Sequence, residues 1–414
     1  MSGRFNWHPS ALSGIGAAAI VLVACGSTTP TTDASPVPAG LPPAQALPGS
    51  GGTWATVAMG QFDDPLNTFG EVFYRSGCAS GSSCGGGAPH WSLATPPGVA
   101  SNGGIMVAAN PDGGLTSGFG VSLDLRYSPL AETADAGAVW TGGILPVALA
   151  AVPDALAASG GTQRLALAAP APVADGDVFA STDDLSTWHR LADRGAVVSA
   201  ATAAGCGLGS LSAVAITAQD DDLVAGDCTG GGRAGIFRVG EAGRPVPTTA
   251  LGPRIPTAGG ADVRVVRLVA TSGVLSALVR QGSGTRSGLE LATSTDGAAT
   301  WTVSAPFATA RPIMATGVTS TGGFVVLLGD GGSGGGRGAA AVVEPGQTWS
   351  VLASPPAGTA VISYGAGDGA IEALVPNGSV LDIDRLGTAG WRRVQDLQVP
   401  LQFGSTSAGG GSTG

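Results

Sequence analysis

Lysine is absent from this sequence, so all 19 strong bases are arginine, set against 29 acids and a net charge of −10. Nucleic-acid binding rests on neutralising many phosphates, and so sparse a positive charge excludes it. It equally excludes a polybasic patch for anionic lipid. Histidine occurs three times, tyrosine three times and aromatic residues make up only 5% of the chain. His90 and His189 each sit beside a tryptophan, and neither has partners at metal-ligand or nucleophile-base spacing. No catalytic residue, metal ligand or cofactor motif is therefore assigned. No apolar run reaches the roughly 20 residues that a bilayer-spanning helix requires.

Glycine is what the chain has in excess, 70 residues, beside 43% hydrophobic residues. Glycine costs about 1 kcal/mol per helical position relative to alanine, so this composition favours short strands joined by many turns. The apolar content is ample for a core.

The chain opens with an arginine and no acid in Met1–Ser10, then the uncharged run Ala11–Ala24 ending in Leu22-Val23-Ala24-Cys25. That is the plan of a secretory signal. The Leu-Val-Ala-Cys ending resembles the lipobox of bacterial lipoproteins. The resemblance implies cleavage before Cys25, a diacylglyceryl group on its thiol, an acylated amino terminus and a place on the extracytoplasmic face of the cell membrane. An all-arginine, glycine-rich chain also fits a GC-rich, actinobacterial genome. Residues 1–24 are thus expected as signal peptide. Residues 25–52, rich in Thr, Pro and Gly, read as the lipidated cysteine and an extended tether. A folded domain is expected over 53–403, and residues 404–414 form a Gly/Ser tail too poor in apolar groups to fold.

Within 53–403 the tryptophans at 91, 140, 188, 301, 349 and 391 lie 49, 48, 113, 48 and 42 residues apart. The long interval is about two periods, and each tryptophan follows an alternating apolar run and a turn. Ser181-Thr182-Asp183-Asp184-Leu185-Ser186-Thr187-Trp188 and Ser294-Thr295-Asp296-Gly297-Ala298-Ala299-Thr300-Trp301 are the clearest copies. Thr133–Trp140, with Asp135, is a third, and Val342–Trp349 a weaker fourth with Glu344 for Asp. These segments resemble the Asp-box, or BNR repeat, Ser-x-Asp-x-Gly-x-Thr-Trp, of sialidase-like β-propellers. The resemblance implies an all-β chain: a single propeller of four-stranded blades, seven in number, with six or eight as near alternatives. It also implies that Asp135, Trp140, Ser181, Asp183, Trp188, Ser294, Asp296, Trp301 and Trp349 are structural turn residues away from the central site. Leu185 and Ala298 stand where the motif has Gly. Cutting at the repeats gives blades of roughly 53–99, 100–151, 152–198, 199–256, 257–309, 310–356 and 357–403. Closure is expected from Val399–Phe403 lying beside Trp54–Met59.

With Cys25 lipidated, Cys78, Cys84, Cys206 and Cys228 form an even set in an oxidising compartment and predict two disulfides. Pairing of neighbours, Cys78–Cys84 and Cys206–Cys228, is favoured because each pair flanks one loop or hairpin. Asp220-Asp221-Asp222 lacks calcium-loop spacing and reads as a solvated turn. Gly331–Gly338 lacks the Lys-Ser/Thr ending of a phosphate loop. Sialidase chemistry would need a tyrosine nucleophile from Tyr74, Tyr127 or Tyr364 and an arginine clamp. Arg254-Ile255-Pro256 matches a sialidase motif in letters but falls between blades, out of its context. The expected function is a non-catalytic, membrane-anchored binding or scaffold module for an envelope protein or glycan. The alternative is a divergent sialidase-type glycoside hydrolase.

Overall fold

A computed structural model describes residues 44–49, 51–62, 64, 67–77, 89–99, 104–110, 113–119, 128–145, 152–168, 176–183, 185–256, 261–282, 287–329 and 338–401. All of them belong to a compact unit, Pro38–Gly414; the other unit, Met1–Val37, falls wholly outside the described residues. Cys25, Cys78, Cys84, Tyr127 and the 404–414 tail lie outside as well.

The described residues form consecutive antiparallel meanders. The first comprises β1 (Gln45–Gly49), β2 (Gly52–Gly60), β3 (Thr68–Ser76) and β4 (Trp91–Leu93). The second comprises β5 (Ile105–Ala109), β6 (Leu115–Phe119), β7 (Ser128–Thr133) and β8 (Thr141–Leu145). The third holds β9 (Ala155–Ala158), β10 (Arg164–Ala168), β11 (Asp177–Ser181) and β12 (His189–Ala192), followed by helix α1 (Arg194–Ala203). The fourth holds β13 (Gly207–Ile216), β14 (Asp221–Thr229), β15 (Gly235–Glu241) and β16 (Arg244–Ala250). The fifth holds β17 (Val263–Thr271), β18 (Val274–Gln281), β19 (Gly288–Ser294) and β20 (Thr302–Val303), with β21 (Phe307–Ala308) also on the edge of β19. The sixth is β22 (Ile313–Val318), β23 (Phe324–Leu328), β24 (Ala339–Val343) and β25 (Ser350–Val351). The seventh is β26 (Val361–Tyr364), β27 (Ile371–Asn377), β28 (Val380–Gly387) and β29 (Gly390–Gln398). Each meander is a blade whose first strand is innermost.

Composition follows position in the blade. The second strands are nearly continuous apolar runs, such as Phe324-Val325-Val326-Leu327-Leu328, because both faces meet neighbouring blades. The fourth strands alternate with solvent, as in β16 and β29.

Three expectations need correction. First, β1 lies inside the 25–52 segment read as tether. Its residues Gln45, Ala46 and Leu47 are buried, and it pairs with β2 from Gln45↔Thr56 to Gly49↔Gly52. A five-residue strand was hidden in an averaged Pro/Gly-rich composition. Second, closure was expected from Val399–Phe403 beside Trp54–Met59, and of that segment the described residues, Val399–Leu401, pair with no first-blade strand. The Val399 N–H donates to Ser379 O, and its side chain packs in the core shared by β2 and β27. Third, Asp222 is fully buried, whereas the acidic turn was expected to be solvated.

The first and last blades are instead joined by a buried ionic cluster. Arg75 is fully buried, its Nε 2.7 Å from Glu372 Oε2 and its Nη2 2.7 Å from Asp368 Oδ2. Arg385 Nη2 lies 2.6 Å from Glu372 Oε1, and Trp91 Nε1 donates to Glu372 Oε2 at 2.9 Å. Inside the ring, β1 also pairs in parallel with β22 of the sixth blade at Gln45↔Thr316 and Ala46↔Gly317. Gly317 is needed there, because a Cβ would sit 2.3 Å from Ile362 O of β26.

Candidate functional site

The inner strands surround a central channel of about 1550 Å³. Residues of β1, β5, β9, β13, β17 and β22 line it, whereas β26 is screened by the β1–β22 pair. The walls mix apolar residues, from Ala157 to Leu156 and Met106, with polar ones such as Gln45, Ser212 and Thr316, and no aromatic residue is among the described lining. One edge of β5, β9 and β13 has no strand partner among the described residues.

Arginine supplies the charge of the wall. Arg194, Arg264, Arg267 and Arg280 line the channel, and Asp154 is the only carboxylate among the described lining residues. Arg264 and Arg280 are direct cross-strand partners where β17 begins and β18 ends. Arg264 has a carboxylate, Asp227 Oδ1, at 3.4 Å, and Arg280 reaches Ser287 Oγ at 3.4 Å. A register shift between Val265 and Arg267 marks a β-bulge, a device that re-aims a side chain. Arg267 follows it, partly exposed, with no ion-pair or hydrogen-bond partner among the described residues. Loss of hydration pushes its guanidinium down to about 10, so it stays charged at neutral pH. Desolvation also raises Asp154 above the usual carboxylate value.

None of the motif residues lines this channel. They stand in the turns between third and fourth strands. Asp183 Oδ1 accepts from Ser181 Oγ at 2.9 Å and Thr187 N at 2.8 Å. Asp296 Oδ1 accepts from Ser294 Oγ at 2.8 Å and Thr300 N at 2.9 Å. Asp135 accepts in the same way from Thr133 Oγ1 and Val139 N, both at 2.8 Å. These bonds hold Asp183 well below the usual carboxylate range, chiefly through the Thr187 hydroxyl, and Asp296 near 2, chiefly through the Thr300 hydroxyl. The second position after the motif Asp is left-handed in all three turns, with φ of 87° at Gly137 and 70° at both Leu185 and Ala298. Each turn packs on the preceding blade. A Cβ on Gly137 would touch Ala94, one on Gly143 would touch Leu185, and Trp301 Nε1 donates to Leu251 O at 3.0 Å. The fourth segment differs: Glu344 Oε2 accepts from Thr319 Oγ1 at 2.8 Å, and Trp349 stacks on Phe307 at 5.4 Å.

Cys206 and Cys228 form a disulfide, Cα atoms 5.0 Å apart, where β13 begins and β14 ends. His189 Nε2 bonds Gly243 O, and Arg254 sits in an isolated bridge with Arg233. Tyr74 donates its hydroxyl to Gly51 O at 2.6 Å, and neither it nor Tyr364 lines the channel. Among the described residues, no group of three or more His, Cys, Asp or Glu side chains could hold a metal ion. No described helix is long and apolar enough to cross a membrane. Reading the sequence missed Arg264, Arg267 and Arg280; their one trace was three arginines within a single hairpin.

Four-stranded blades around one channel make the chain a β-propeller. No known protein family and no curated protein matches the sequence. Among solved structures, a putative 6-phosphogluconolactonase from Bacteroides fragilis is similar at 12% identity and TM-score 0.50, over 85% of this chain and 96% of that one. The β-propeller domain of the Trilobed protease from Pyrococcus furiosus is similar at 7% identity and TM-score 0.48, over 85% and 97%. YCF48 bound to D1 peptide is similar at 16% identity and TM-score 0.40, over 67% and 78%. At such identities a likeness concerns the fold alone.

Proposed function

We propose that this chain is a lipid-anchored, extracytoplasmic binding module of the Asp-box propeller type, which presents its central channel to an envelope protein or glycan. The observation that carries the reading is the open, arginine-bearing channel at the centre of the blades. Concave, mostly apolar sites with a few convergent polar groups are where proteins bind their partners. Anchoring rests on the Leu22-Val23-Ala24-Cys25 ending, and two or more acyl chains suffice for a stable membrane hold. The turns around Asp135, Asp183 and Asp296 support the Asp-box kinship through their shared Asp-to-backbone bonding.

The arginines also fit the alternative of a divergent sialidase-type hydrolase. Tyr74, however, has its hydroxyl committed to a backbone carbonyl. The test is crosslinking of intact envelopes followed by purification of the anchored chain, beside the Cys25→Ser variant. The binding reading expects a specific crosslinked partner and loss of membrane retention in the variant. Turnover of a fluorogenic sialoside, abolished by mutating Tyr74, Tyr127 or Tyr364, would overturn it in favour of hydrolysis.

A further inference from the structure

Three features of the channel point to a ligand. Arg267 stands partly exposed on the channel wall, its side chain without an ion-pair or hydrogen-bond partner among the described residues. Arg264 and Arg280 are placed directly across from each other on β17 and β18, with Asp227 beside Arg264 on its other flank and Ser287 beside Arg280, so two positive charges meet one carboxylate there. The inner strands β5, β9 and β13 turn an unpaired edge to the channel. The first two call for an anion, and the third calls for donors and acceptors spaced as in a strand.

We infer that the channel takes the carboxyl-terminal segment of an extended polypeptide, with its terminal carboxylate held by Arg267 beside Arg264 and Arg280. Guanidinium pairs a carboxylate through two parallel N–H bonds, so this is the side chain for the task. Orientation follows from register. Arg264 stands at the start of β17 and Arg280 near the end of β18, at the mouth where inner strands begin. A peptide whose carboxylate sits there runs antiparallel to the inner strands. About five residues at 3.3 Å each match the length of β5. The free edges then gain the main-chain bonds that strand addition provides.

Other anionic ligands fit less well. An acyl chain would cover the strand edges without hydrogen-bonding them, and an unsatisfied backbone group in an apolar setting is unfavourable. A glycan is commonly held by stacking, and the described lining contains no aromatic residue.

This inference rests on the binding-module reading and specifies its partner. The experiment uses the full chain in detergent and an array of random pentapeptides in two chemistries, free carboxylate and carboxamide. Retention of free-carboxylate peptides only is expected. For the best of them, Arg267→Met should weaken affinity ten- to hundredfold, the range of a lost charge-assisted pair. The same variant should melt no lower than wild type, because no described side-chain partner of Arg267 is lost. Loss of a purely structural arginine would lower the melting temperature. Arg280→Met serves as a second variant should Arg267→Met fold poorly. Equal retention of amides, no retention of either chemistry, or unchanged affinity in both variants would overturn the inference. Binding of oleate in place of peptide would do so too. If Arg267→Met still captures the crosslinked envelope partner, the channel assignment falls and the binding module stands. If wild type captures no partner, the broader reading falls.

Discussion

Leu185 and Ala298 share a left-handed backbone, φ 70°, at a position where glycine would be unstrained. Their substitutions by glycine should nevertheless differ. At Ala298, relief of about 1 kcal/mol of strain meets about 0.8 kcal/mol lost with one buried methyl, so Ala298→Gly is expected within about 0.5 kcal/mol of wild type. At Leu185, fully buried against the preceding blade, burial and the resulting cavity outweigh the relief. Leu185→Gly should lower stability by about 2 kcal/mol or more in urea titrations. Single carboxylates also set the pH response. Asp296 is held near 2 against an ordinary 3.8, so its contribution is complete above pH 4 and lost on acidification towards 2. Asp222 and Glu290 are pushed the other way, to about 7, mainly by burial, from ordinary values of 3.8 and 4.5. Unfolded chains release those protons near pH 4 while the folded protein keeps them, so stability falls between about pH 4 and 7. The melting temperature at pH 5 should exceed that at pH 8, and Asp222→Asn with Glu290→Gln should flatten the difference.

Blades and their joints were legible to different degrees. The tryptophan period predicted the meanders because each Trp lies beside an inter-blade turn, a local and repeated need. The left-handed turn position was legible for the same reason. Arg267 was not, since its importance comes from a bulge and from five other inner strands that sequence order does not bring near. Asp222 looked like a turn residue; its burial comes from a contact with Gln163 in the neighbouring blade. Such polar joints recur, as between Arg164 of β10 and Thr116 of β6 at 3.1 Å. Within the fourth blade a covalent bond ties β13 to β14. The Cys206–Cys228 bridge closes a separation of 22 residues, and a loop of that size is worth about 3 kcal/mol of unfolded-state entropy. Reduction, or Cys228→Ser, should lower stability by about that amount, and hydrogen exchange should quicken first in α1 and β13.

Across the whole molecule, the ring depends on one seam that no repeat encodes. Glu372 binds Arg75, Arg385 and the Trp91 indole together. Removing one partner of a buried ion pair strands the other, so Glu372→Ala is expected to cost about 3 kcal/mol or more. Hydrogen-exchange mass spectrometry should register the loss in β2, β3, β26 and β27, with β14 and β18 spared. The seam also has a kinetic side. Every blade is a meander of near neighbours in sequence, whereas the seam bond from Thr53 to Tyr364 O spans 311 positions. Loop closure over such a distance waits until the intervening chain is ordered. Folding should therefore show quick blade formation and a slow final phase in which Trp91 fluorescence changes as its indole meets Glu372. In a nascent chain emerging amino terminus first, β1 and β2 can pair with each other early, but the cross-ring bonds to β22 and to the Arg75–Glu372 seam wait for the late strands, so the first described blade is among the last to be locked.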